Sequence, residues 1–238
     1  MSAPLAVVLA GGLGTRLQKV LPDLPKPLAP VAGKPFLEWL LRYLRGQGIE
    51  EVVLSVGHRA GQVEAFARNF SLPGMKVGCA VEREPLGTAG GFLNAMHSAK
   101  GDGDVLACNG DSLVLADLKT LFEAARESDG AILGVRVADA SRYGTLKRGA
   151  DGRLLGFDEK RPGSGVVNAG VYLFPRATIG KFPAKRPLSF EYDVFPALIA
   201  AQATIRAVSC DAPFLDIGTE AALAQAGGFV AKNMEWFE

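Results

Sequence analysis

Apolar residues in this chain fall into two patterns that take turns. Short, nearly unbroken runs over residues 5–10, 51–56, 76–81, 104–108 and 131–137 have the length of strands buried on both faces. Between them, over 35–45, 62–70, 89–99 and 118–127, apolar positions recur every third or fourth residue, the spacing of a helix with one packed face. Buried strand, helix and buried strand in succession predict right-handed crossovers, and so an α/β fold with a mostly parallel, helix-covered sheet.

Beyond about residue 140 the texture changes. Shorter β runs at 144–148, 154–158 and 166–174 precede a helix over 192–201, a strand over 205–210 and a closing helix over 220–232. No Ser/Pro/Gly-rich linker, fixed-period repeat or low-complexity tract separates the two parts, and hexapeptide β-helix repeats are absent. The expectation is a single domain over residues 1–238, with a first half to about 138 and a second from about 139.

Composition narrows the field of partners. In 238 residues, 48% are hydrophobic and 21% charged, enough apolar surface to offset chain entropy on folding. A net charge of +1 gives no broad basic field for a nucleic-acid backbone, so a small ligand is expected instead. No apolar run approaches the roughly 20 residues that span a bilayer, and no basic region followed by an apolar stretch opens the chain as a signal peptide would. Cys79, Cys108 and Cys210 are odd in number and lack CxxC spacing, which favours reduced core thiols and a cytoplasmic protein. His58 and His97 stand apart from other ligand-type residues, so zinc has little support.

The stretch "AGGLGTR", residues 10–16, follows the first strand, where an open parallel sheet binds its ligands. Gly11, Gly12 and Gly14 permit positive φ and close backbone approach, so successive amides can cradle an anion. It is no dinucleotide fingerprint, because Leu17 stands where GxGxxG needs glycine, and no Walker loop, because GK[ST] does not end it. Arg16 adds a forked donor and Lys26 a compact charge. In "LPKPL" the prolines on either side restrict Lys26, and Pro27 is expected to push it out of the helical region. The combination reads as a phosphate site.

"DVLACNGDS" places Asp111 just past a buried strand, and "FLDIGT" places Asp216 after another apolar run. A carboxylate there can hold Mg²⁺ or cap a following helix, and for Asp216 capping by Thr219 is equally open. In "VEREPLGTAGG", residues 81–91, Gly87 and Thr88 allow backbone to approach a flat base, and Glu82 or Glu84 can accept from guanine N1 and N2 hydrogens. In "FDEKRP" and "NAGVY", Glu159, Lys160 and Asn168 supply an acceptor, a cation and an amide suited to a sugar phosphate.

In this order "GGLGTRL", "PKPLAPVAGKPFLE", "EPLGTAGG", "NGD", "EK", "NAGVY" and "DIGT" resemble the sugar-1-phosphate nucleotidyltransferases over nearly the whole chain. The resemblance implies a Rossmann-like three-layer α/β/α sheet, mixed but mostly parallel, of the GT-A-like nucleotidyltransferase kind. It implies an enzyme joining a nucleoside triphosphate to a sugar 1-phosphate with release of pyrophosphate, Mg²⁺ as cofactor, and a monomer or homo-oligomer without nucleic-acid or membrane partners. By the same resemblance Arg16 and Lys26 are catalytic. Leu9, Ala10, Gly11, Gly12, Gly14, Thr15, Glu82, Gly87 and Thr88 bind nucleotide in the first half. Asn109, Gly144, Glu159, Lys160, Asn168 and Glu191 bind sugar, mainly in the second half, and Asp111 and Asp216 hold the metal.

A finer similarity, carried by "KPFLE", "EPLGTAGG", "SRYGTL" and "SFEYDVFP", is to the D-glycero-α-D-manno-heptose 1-phosphate guanylyltransferases. GTP and that heptose are therefore the favoured substrates, with UTP, or mannose or N-acetylmuramate 1-phosphate, as the alternative. A GT-A glycosyltransferase typically carries DxD, and residues 109–111 here read Asn-Gly-Asp. An inactive nucleotide-sugar sensor has no need to keep Arg16, Lys26, Asp111 and Asp216 together.

Overall fold

The computed structural model describes residues 3–99, 102–158 and 162–238. Its first half runs β1 (Leu5–Leu9), a small hairpin of β2 (Pro30–Val31) and β3 (Lys34–Pro35), α1 (Phe36–Gly46), β4 (Glu51–Val56), α2 (Ala60–Asn69), β5 (Lys76–Val81), α3 (Thr88–Ser98), β6 (Val105–Asn109), β7 (Ser112–Val114), α4 (Lys119–Arg126) and β8 (Gly130–Val137). The second adds β9 (Thr145–Arg148), β10 (Leu154–Asp158), β11 (Gly165–Phe174), α5 (Arg176–Ile179), α6 (Phe195–Ala200), β12 (Ile205–Cys210), β13 (Phe214–Asp216) and α7 (Glu220–Lys232).

Strands β5, β4, β1 and β6 lie side by side and parallel, with Ala6 opposite Val52 on one side and Leu106 on the other. The ten-residue β11 then runs antiparallel beside both β6 and β8, and β12 is parallel to β8. The β9–β10 hairpin joins the N-terminal part of β11, where Val167 faces Thr145. The outcome is the expected α/β class: a nine-stranded mixed sheet whose antiparallel members come from the second half.

Burial explains the sequence pattern. Along β1, Ala6 and Val8 join the core on one face while Val7 joins the core on the other. Because side chains alternate across a strand, only an unbroken apolar run can serve both. Helices α1 and α4 cover the first face, α1 with Leu37, Leu40, Leu41 and Leu44. Helices α3 and α6 cover the second, where Phe92, Phe174, Phe190, Phe195 and Tyr172 form one aromatic cluster.

One expected helix differs in kind. Residues 190–194 form a wide π-turn before α6 begins, in place of a regular helix from 192. Val194 N donates to Ser189 O at 3.0 Å, a five-residue step, and Ser189 Oγ accepts from Tyr192 N. Pro196, at the start of α6, has no N–H to offer the regular ladder, which lets the wider turn persist. The wide turn buries Phe190, Val194 and Phe195 together.

Phe174 stacks on Phe190 at 5.7 Å between centroids and is fully buried. Phe174→Ala is expected to lower the free energy of unfolding by about 3–5 kcal/mol. Urea denaturation followed by circular dichroism measures this, and a loss below about 1 kcal/mol would mean that the cluster readily repacks.

Candidate active site

The chain leaves β1 toward β4 and β5, then returns to place β6 on the other side of β1. This is the topological switch point at which open α/β sheets bind ligands beyond the strands' carboxyl ends. Leu9 and Ala10 end β1, and their loop is tied on both sides. Ala10 N donates to Ser55 O, Gly110 N to Leu9 O and His58 N to Gly11 O. Gly11 has no room for a side chain, since a Cβ would stand 2.9 Å from Glu82 Oε1 and 3.1 Å from Gly57 N. Gly14 takes φ +59 and turns the chain into the short helical turn Thr15–Leu17, whose Leu17 is buried. The resulting cavity of about 210 Å³ has Leu9, Ala10, Gly12, Gly14, Thr15 and Arg16 on one side and Lys26, Asp111 and Gly218 on the other.

Lys26 departs from its expected extended conformation and opens the 3₁₀ turn Lys26–Leu28, with Leu28 N donating to Pro25 O. Pro27, being at the start of the turn where no N–H is required, allows this, and both prolines are buried. The Lys26 ammonium is thereby directed between two carboxylates, 2.5 Å from Asp111 Oδ2 and 3.8 Å from Asp216 Oδ1. The two acids meet because β7 and β13 pair, with Asp216 opposite Ser112 and Ile217 N donating to Asp111 O.

Neither acid caps a helix. Asp111 is followed by a strand, and Thr219 caps α7 by accepting from Ala222 N, while Asp216 accepts from Gly218 N. Among the described residues no three or more His, Cys, Asp or Glu side chains converge on one point. Two carboxylates around one cation suit Mg²⁺, which keeps several waters and completes its shell with substrate phosphate oxygens.

Beside this cavity a second, of about 520 Å³, reaches from Gly12 and Asn109 to Glu82, Glu84, Gly87 and Thr88. Glu82, which lines this cavity, accepts from Ser55 Oγ of β4 at 2.7 Å through Oε1 and from Leu86 N at 3.3 Å through Oε2, so one oxygen ties it to the sheet and the other braces the turn. Gly87 at φ +77 leaves space for Leu188 O, 2.5 Å from where a Cβ would be, and Thr88 Oγ1 accepts from Phe190 N. A third cavity, of about 940 Å³, shares Asn109 with the second and is lined by Gly144, Asn168, Glu191 and Asp216. Gly144 O accepts from Asn168 N, and a bulge between Asn168 and Val171, with Gly170 at φ +71, lets the Asn109 side chain lie against the β11 backbone. Glu159 and Lys160 lie outside the described residues.

A family model described as nucleotidyl transferase matches residues 5–233. The chain belongs to the nucleotidyl transferase family. It is 36% identical over 216 residues to D-glycero-alpha-D-manno-heptose 1-phosphate guanylyltransferase of Aneurinibacillus thermoaerophilus, covering 90% of this chain and 92% of that one. It is 38% identical over 199 residues to mannose-1-phosphate guanylyltransferase of Mycobacterium tuberculosis, covering 82% of this chain but 55% of that longer one. The fold superposes on HddC from Yersinia pseudotuberculosis, solved in complex with GMP-PN, with a TM-score of 0.85 and 35% identity, over 95% of this chain and 99% of that one.

In this nucleotidyl transferase several cavity residues escape sequence reasoning. Arg142 and Tyr143 line the third cavity beside Gly144, the guanidinium lying over the Tyr143 ring and donating to Thr219 Oγ1. The signal was present in "SRYGTL", but an Arg-Tyr pair has no spacing rule that assigns it a role. Asp158 and the exposed Tyr192 also line this cavity.

Lys26 occupies the space between the acids that a divalent ion would share. Lys26→Gln removes this positive charge, so the nucleotide-free protein is expected to bind Mn²⁺ roughly tenfold tighter than the parent, allowing for solvent screening of the half-exposed Asp111. Electron paramagnetic resonance of free Mn²⁺ reads this directly, and equal affinities would show that the lysine does not compete with the ion.

Proposed function

We propose that this chain transfers a nucleotidyl group, guanylyl from GTP, to D-glycero-α-D-manno-heptose 1-phosphate, yielding a nucleotide-sugar and pyrophosphate. The observation that carries the reading is Lys26 set between Asp111 and Asp216 at the rim of the glycine-loop cavity. The names of the full-length relatives support the choice of base and sugar. The mannose-specific name of the Mycobacterium tuberculosis relative makes mannose 1-phosphate the second reading for the sugar.

On this reading the amides of Gly11 to Thr15 and the Arg16 guanidinium hold the triphosphate. Lys26 meets the α-phosphate or the incoming sugar phosphate. The base lies along Gly87 and Thr88, with Glu82 or Glu84 accepting from guanine, and the sugar is held by Asn109, Gly144, Glu159, Lys160, Asn168 and Glu191. A phosphate oxygen of the sugar attacks the α-phosphorus in line as pyrophosphate leaves. No general base is needed, because a phosphate monoester with a second pKa of about 6 is already largely a dianion near neutral pH. The chain's contribution is alignment and fixed positive charge. Bound by Asp111 and Asp216, Mg²⁺ would screen charge on the phosphoryl oxygens and the departing pyrophosphate.

The remaining parts of the reading are one domain over residues 1–238, with nucleotide handled by about 1–138 and sugar by about 139–238, working in the cytoplasm as a monomer or homo-oligomer. No helix among the described residues is long and apolar enough to cross a membrane.

Purified protein with Mg²⁺, four nucleoside triphosphates and a panel of hexose and heptose 1-phosphates should release pyrophosphate fastest with GTP and the heptose. Absence of release from every pair would sink the reading. Asp111→Ala is expected to lower kcat on the order of 100-fold or more while the circular dichroism spectrum stays unchanged.

A further inference from the structure

The third cavity rests on a polar chain that begins in the aromatic core. Tyr172 is fully buried on β11, its ring 5.0 Å from Phe190 and 5.2 Å from Phe195. Its hydroxyl accepts from Asn168 Nδ2 at 2.7 Å and donates to Glu191 Oε1 at 3.0 Å. The direction is forced, because a carboxylate only accepts and the hydroxyl has one proton to give. Asn168 is fixed at its other end as well, with Oδ1 accepting from Gly170 N at 2.9 Å, and Glu191 Oε2 accepts from Ser189 Oγ at 3.0 Å. Burial and the nearby Glu191 charge hold the Tyr172 hydroxyl well above the usual tyrosine range, so it remains a donor at every working pH.

Tyr172 itself does not line the cavity, but both residues it bridges do. A phenylalanine would fill the same aromatic volume, so packing alone does not call for the hydroxyl. What the hydroxyl does is tie the Asn168 amide, held at its other end by Gly170 N, to the Glu191 carboxylate, so that the two cavity-lining side chains are fixed relative to each other. One amide N–H of Asn168 and the remaining lone pairs of Glu191 are not used by these bonds, so one ligand hydroxyl could accept from Asn168 while donating to Glu191.

We propose that Tyr172 is a positioning residue that presets Asn168 and Glu191 to read a ring hydroxyl of the sugar phosphate. This rests on the reading of the third cavity as the sugar site. It acts through its two partners, touches no substrate, and leaves the nucleotide side alone.

Tyr172→Phe is expected to raise the KM for the sugar 1-phosphate about tenfold while the KM for GTP and the kcat stay within about twofold of the parent. Repeated in a Glu191→Ala background, the same change should add clearly less than in the parent, about threefold, because one of the two groups it orients is gone. An unchanged sugar KM overturns the assignment. So does an equal effect in both backgrounds, a parallel rise in both KM values, or loss of the fold, each of which makes Tyr172 a structural residue. Failure of the parent protein to turn over any sugar phosphate would overturn the sugar-site reading itself and this inference with it, and is thereby distinguished from failure in the variant alone.

Discussion

Like charges must be brought together at the carboxyl end of this sheet, and the Lys26 ammonium is the group that permits it. Two aspartates lie within 2.5 and 3.8 Å of its nitrogen. Without a cation between them, two partly buried carboxylates repel. The β7–β13 ladder sets Asp216 beside Ser112, and hence near Asp111, and Lys26 offsets the charge of both acids. The same cavity is lined by the glycine loop and Arg16, so positive charge is already held in position there.

The two ligand-facing sides are linked by one short segment. Leu188 N donates to Leu86 O, Ala89 N and Gly90 N donate to Leu188 O, and Thr88 Oγ1 accepts from Phe190 N. The turn at 86–90 and the wide turn at 190–194 therefore form one braced unit, with Phe190 anchored in the aromatic core between them. A rigid brace costs ordering entropy at folding and spares it at binding, which favours sites that must align two reactants. The buried hydroxyl of Tyr172 extends the same logic from the core to the cavity wall.

Legibility in the sequence followed the range of the interactions. The glycine loop was readable because a positive φ, as at Gly14, is a local demand, whereas the reason Gly11 lacks a Cβ, the approach of Gly57 and Glu82, appears only in the fold. Lys26 was readable as a fixed cation, but its turn was not, since Pro27 tolerates a helical turn when it stands where no donor is required. Ser55 was invisible, because a serine reveals nothing until its acceptor, Glu82, is brought to it by the fold. Glu82 had been read only as a base acceptor, and its second task of bracing the turn at Leu86 follows from contacts that no spacing rule encodes.

Taken alone, the order of residues determined the α/β class, the strands of the parallel half and the glycine loop that follows the first strand, and the resemblance to a known family singled out the two acids. The first three are written in periodicity or in the demands of single residues on the backbone. Tertiary structure alone decided that Asp111 and Asp216 share one lysine, that Asn168 and Glu191 meet through Tyr172, and that Arg142 reaches the start of α7. Those pairings join segments distant along the chain, and their geometry is set by strand register and core packing, which act only once the sheet has closed.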